Sequence, residues 1–74
     1  MNVSDEIISF IKGYAKKQLD DITEETTLPA DLGIDSLTFV RMVNDAEGKF
    51  DVTIDDNELI SVRTVGDFAR LIIK

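Results

Sequence analysis

Three groupings in this sequence have residue types and spacings that could do chemistry. Ser9-Phe10-Ile11-Lys12 sets a hydroxyl one helical turn from an ammonium, the S-x-x-K spacing of serine acyl enzymes. Those enzymes need further motifs and a scaffold much larger than 74 residues. The pair therefore reads as two solvated side chains on a helix. Asp51-Val52-Thr53-Ile54-Asp55 begins like a calcium loop, but Asp56 stands at the turn-glycine position and Val62 at the closing-glutamate position. The third grouping is Asp31-Leu32-Gly33-Ile34-Asp35-Ser36-Leu37. It places a serine after a glycine turn at the start of a predicted helix. A serine there is most often an N-cap. The same location also favours a phosphate, because unpaired amides and the helix dipole attract an anion.

Composition removes other chemistries. Histidine, cysteine and tryptophan are absent, so a histidine base, a cysteine nucleophile, a cysteine/histidine zinc site and a disulfide framework are all impossible. Eight basic and fifteen acidic residues give a formal charge of −7, the wrong sign for a nucleic-acid footprint. Apolar residues make up 43% of the chain, enough for one small core and a single domain over residues 1–74. No apolar run reaches the roughly 20 residues of a membrane span. The acidic start, Met1-Asn2-Val3-Ser4-Asp5-Glu6, does not look like a signal peptide. A cytoplasmic monomer is the expectation.

Periodicity predicts the elements that must position these residues. A first helix is expected from about Ser4 to Leu19, with Ser4 as cap, Asp5 and Glu6 in its first turn, and Lys16 and Lys17 in its last turns. A long connection, about Asp20 to Asp35, carries Pro29 and Gly33, with Ile22, Leu28, Leu32 and Ile34 spaced to pin it to the core. A second helix is expected from Ser36 to Phe50. Phe39, Val40, Val43, Ala46 and Phe50 fall in an arc of roughly 120° there, a core stripe. Leu37 falls about 60° outside it, on a face with Arg41, Asn44 and Gly48, whereas Glu47 projects within it. Asp55 to Ile60 allows at most a short third helix. Thr64 and Asp67 form a capping box that starts the last helix, with Val65, Phe68, Ala69 and Ile72 as its stripe. The predicted fold is all-α: a small four-helix bundle of three main helices and one short one.

On these residues the chain resembles the acyl carrier proteins. The run D-L-G-I-D-S-L is similar to their phosphopantetheine attachment motif, and Val40, Val43, Phe50, Ile54, Thr64, Val65 and Phe68 fall at the family's apolar or helix-starting positions. The resemblance implies that Ser36 accepts 4′-phosphopantetheine from coenzyme A through a separate phosphopantetheinyl transferase. It implies a carrier rather than an enzyme, with a thiol supplied by the prosthetic group in place of cysteine. Asp35 and Leu37 would be read by partners. Arg41, Asn44, Asp45, Glu47 and Asp56 would complete the recognition surface. Phe39, Val40, Val43, Phe50, Ile54, Leu59, Ile60, Val62 and Phe68 are candidates to sheathe an acyl chain, or are simply core. Partners would be acyl-transferring and chain-elongating enzymes with basic docking patches.

The second helix departs from the family pattern. Its outer face carries Thr38, Arg41, Asn44, Gly48 and Lys49 where the fatty-acid carriers usually have acidic residues and a methionine, and only Asp35, Asp45 and Glu47 keep acidic character there. This favours a specialised carrier of polyketide, aminoacyl, peptidyl or lipid-modifying type. The alternative is a carrier-like docking or regulatory module that is never modified.

Overall fold

The structure, a computed structural model, describes residues 5–72. Four helices follow one another: α1 (Asp5–Lys12), α2 (Ser36–Phe50), α3 (Asp56–Leu59) and α4 (Val65–Ile72). Among the described residues the β pairing is a single antiparallel bridge, Thr27 with Thr64. No helix among them is long and apolar enough to cross a membrane. The expected cap Ser4 lies outside the described residues.

The helix α1 is shorter than its periodicity predicts. The amides of Tyr14 and Ala15 fall back on the carbonyls three residues earlier, at 2.9 and 3.3 Å, and those of Lys16 and Lys17 both turn to the Leu32 carbonyl, at 2.9 and 3.1 Å. Gly13 weakens the helix at this point, and the loop carbonyl offers the amides another acceptor. Lys16 and Lys17 therefore do not complete the last turns of α1. They lie against the long connection instead. Tyr14, Ala15 and Leu19 still pack on the core from outside any helix.

The connection is anchored as expected. Leu28, Leu32 and Ile34 are buried, and Ile22 packs against them half-buried. Burying each large aliphatic side chain stabilises by about 1.5–3 kcal/mol, which offsets much of the cost of ordering the loop. Its backbone also holds the start of α4: Val65 N–H donates to the Thr26 carbonyl at 2.9 Å and Gly66 N–H to the Glu24 carbonyl at 2.8 Å. Gly66 is required there, because a Cβ would lie 2.9 Å from the Glu24 carbonyl oxygen. The Thr64–Asp67 box forms as predicted, with Asp67 N–H donating to Thr64 Oγ1 at 3.1 Å and Thr64 N–H to Asp67 Oδ2 at 3.2 Å.

The helix α2 spans the predicted residues, but its buried stripe is rotated. Met42 is fully buried, whereas Val40 is 53% exposed, contrary to its expected place in the core. The stripe is centred on Phe39, Ala46 and Phe50. Met42 lies about 60° from that centre and Val40 about 100°, so Met42 takes the interior edge. Glu47 sits on the other edge. Its Oε2 accepts the Ile54 amide at 2.9 Å, and its carbonyl accepts the amides of Asp51 and Val52. An acidic residue in the core arc thus ends the helix from within, with Asp51 in the left-handed region at φ 53°.

Three groups make this packing sensitive to pH. The amides of Thr27 and Arg63 hold the Asp31 and Asp67 carboxyls below their ordinary 3.8. Their stabilisation is complete above that value and is lost as pH falls through the lowered native values. Burial, together with the hydrogen bond from its hydroxyl to Asp45, pushes Tyr14 up to about 12 from 10.0. Its stabilisation is present below pH 10 and is lost as pH rises toward 12. Thermal unfolding should therefore show Tm falling on acidification below about pH 4. Tm should also fall above about pH 10, less steeply in Tyr14→Phe. Gly66→Ala should lower stability by about 1–3 kcal/mol in urea unfolding, since backbone must move to admit the methyl group.

Candidate functional site

The site is built where the long connection enters α2. Gly33 takes φ +69°, a left-handed turn that a side chain would strain, and a Cβ there would also press on Lys16 at 3.3 Å. Ile34 is buried directly after it and fixes the approach. Asp35 follows in extended conformation, φ −79° and ψ 177°, and is the N-cap of α2. Its Oδ1 accepts the Thr38 amide at 2.8 Å, and its carbonyl accepts the Phe39 amide at 2.8 Å. The cap is thus aspartate. Ser36, whose isolated reading is a cap, is the first residue inside the helix and is exposed. Its hydroxyl is not needed to satisfy the helix end. The amides of Ser36 and Leu37 belong to the first turn, where helix geometry supplies no acceptor, and the dipole of a 15-residue helix ends there.

A second contact fixes the cap. Lys16 Nζ lies 2.7 Å from Asp35 Oδ2, on the side of the carboxylate away from Thr38. The Lys16 ammonium first, and the Thr38 amide second, hold the Asp35 carboxyl well below the usual carboxylate range. Sequence reading missed Lys16 because it counted this residue within α1. The doubled lysine after a helix-weakening glycine is the signal that was available.

Beside Ser36 opens a cleft of about 260 Å³ whose walls are Leu28, Pro29, Ile34, Phe39, Leu59, Ile60, Val62 and Arg63. Of the nine expected sheath residues it gathers Phe39, Leu59, Ile60 and Val62. Val43, Ile54 and Phe68 are buried in the core, and Phe50 lies half-buried edge-on to Phe10 at 5.4 Å. Val40 is on the outer surface instead. Leu28, Pro29, Ile34 and Arg63 complete the cleft from the connection and the α3–α4 turn, elements whose approach to α2 no local pattern announces.

The outer face of α2 is apolar at its start. Leu37 is 79% exposed, as its angle predicts, and Ile60 at the end of α3 is 80% exposed. Arg41, Asn44, Asp45, Gly48 and Lys49 are exposed along the helix, and Asp56 at the start of α3. The acidic groups on α2 and its cap are engaged within the chain: Asp35 by Lys16 and Thr38, Asp45 by the Tyr14 hydroxyl, and Glu47 by the Ile54 amide. Asp55, the fifth position of the calcium-loop pattern that Asp56 and Val62 break, caps α3 with Glu58 in a reciprocal box. No group of three or more acidic side chains among the described residues is placed to hold a metal ion.

Comparison with known proteins agrees with this geometry. The chain matches the phosphopantetheine attachment site family over residues 5–72. The acyl carrier protein of Thermotoga maritima is 40% identical across 95% of this chain and 91% of its own length. That of Wolinella succinogenes is 35% identical across 97% and 95%. The 3-methylorcinaldehyde synthase of a Phoma species is 31% identical across 96% of this chain, in a segment that is 3% of the synthase. With an exposed serine at a capped helix start, a cleft beside it and two acyl carrier proteins matched along nearly their whole length, this chain belongs to the acyl carrier protein family, whose members hold acyl groups on a covalent 4′-phosphopantetheine and are carriers, not catalysts.

Proposed function

We propose that the chain is a single acyl-carrier domain, residues 1–74, in which Ser36 accepts 4′-phosphopantetheine from coenzyme A. The observation that carries this reading is the division of labour at the start of α2. Asp35 caps the helix and leaves the Ser36 hydroxyl exposed. Ser36 supplies the nucleophilic oxygen. The base, the metal and the handling of the leaving group belong to the phosphopantetheinyl transferase. The first-turn amides of α2 favour the phosphodiester once it stands at Ser36. The prosthetic group supplies a thiol that holds acyl or aminoacyl intermediates as thioesters. The cleft walled by Phe39, Leu59, Ile60 and Val62 is the part of the chain suited to shelter an acyl chain.

The carrier presents its cargo, as a cytoplasmic monomer, to acyl-transferring and chain-elongating enzymes of fatty-acid, polyketide or related biosynthesis. Tethering raises the local concentration of substrate at each of them. The charge of −7 steers the chain toward basic docking patches at long range. At contact, α2 offers Leu37, Val40, Arg41 and Asn44, while its carboxylates are engaged within the chain. This supports service to dedicated enzymes, as in polyketide, aminoacyl, peptidyl or lipid-modifying systems.

Intact mass after incubation with coenzyme A and a broad-specificity phosphopantetheinyl transferase tests the assignment. Wild type should gain one phosphopantetheine, and Ser36→Ala none. Gain by the variant would refute Ser36 as the site, and a folded wild type that gains nothing would favour an unmodified docking module.

A further inference from the structure

The turn after α1 packs against the six residues before Ser36, Ala30 to Asp35. The Lys16 and Lys17 amides both donate to the Leu32 carbonyl, at 2.9 and 3.1 Å. Lys17 Nζ donates to the Ala30 carbonyl at 3.0 Å. Lys16 Nζ donates to Asp35 Oδ2 at 2.7 Å. The left-handed turn at Gly33 lies close beneath, its ideal Cβ position 3.3 Å from Lys16 Cβ and 3.4 Å from Lys17 Cγ. These contacts bind the motif loop to a strap of two lysines from a distant part of the chain.

Lys16 and Asp35 are 62% and 53% exposed, and an exposed pair of this kind contributes little to global stability. Its position gives it a local effect. Asp35 has one oxygen on Thr38 and the other on Lys16, so Lys16 fixes the carboxylate that closes the first turn of α2. We propose that Lys16 is a positioning residue for the modification of Ser36: acting through Asp35, it holds the first turn of α2 closed, and with it the direction in which Ser36 is presented. This rests on Ser36 as the attachment residue. Helix ends open at almost no free-energy cost, so loss of the pair shows directly in the fraction of chains with a formed first turn. That fraction scales the apparent affinity of a transferase for the chain.

The test compares Lys16→Met, Lys16→Arg and the charge-matched control Lys12→Met, an exposed lysine at the end of α1. Each is modified by a broad-specificity phosphopantetheinyl transferase with coenzyme A, followed by intact mass. Lys16→Met should raise KM for the carrier by about two- to fivefold with kcat unchanged, the upper figure matching the largest effect expected of an exposed pair. Lys16→Arg, which keeps a donor to Asp35, should restore KM, and Lys12→Met should leave it unaltered. Amide hydrogen exchange should quicken at Thr38 in Lys16→Met and stay constant at Phe68, a change that a general loss of stability would not confine to one turn. An unaltered KM in Lys16→Met, or an equal rise in Lys12→Met, overturns the proposal. Modification that persists in Ser36→Ala overturns instead the attachment reading on which it rests.

Discussion

One oxygen of the Asp35 carboxylate accepts the Thr38 amide and the other accepts the Lys16 ammonium. The backbone carbonyl of the same residue takes the Phe39 amide. These three contacts close the N-terminal end of α2, and the rest of the site depends on that closure. They free the next residue, Ser36, from any structural duty. From the same end of the helix Phe39 lines the cleft and Leu37 stands exposed outside it. Gly33 makes the arrangement possible, since its left-handed turn brings Asp35 within reach of the strap after α1.

How much of this was legible in the sequence differs from element to element. The extent of α2, the Thr64–Asp67 box and the outward position of Leu37 all follow from local rules, and the structure has them as read. The D-L-G-I-D-S-L run led to the family, and the match over residues 5–72 bears that out. What eluded reading depends on partners distant in sequence. The early end of α1 needs the Leu32 carbonyl, and Lys16 needs Asp35 nineteen residues on. Met42 and Val40 exchanged places because both lie near the edge of the helical stripe, where the neighbouring elements decide which side is covered. The cap fell to Asp35 although a serine stood beside it. Both residues cap helices well, and one step of register separates them.

Charge is arranged to similar effect. A formal −7 spread over so small a chain repels itself, yet near the site the acids are individually engaged. Asp31 exchanges hydrogen bonds with Thr27, Asp45 receives the Tyr14 hydroxyl, and Glu47 receives the Ile54 amide. Each of these carboxylates stabilises a turn or a helix junction. The surface beside Ser36 sets the exposed Leu37 and Val40 next to Arg41. In the proposed docking, net charge governs steering, and Leu37 with its neighbours governs fit.

The claim that Asp35 and not Ser36 closes α2 is tested most directly by urea unfolding of Asp35→Ala beside Ser36→Ala. Loss of the aspartate cap should lower stability by about 1 kcal/mol, as is typical when a capping side chain is removed. Loss of the Ser36 hydroxyl should leave stability within about 0.5 kcal/mol of wild type, because alanine is well suited to a first-turn position. A Ser36→Ala variant that loses as much as Asp35→Ala would contradict this division of roles and return the serine to a structural cap.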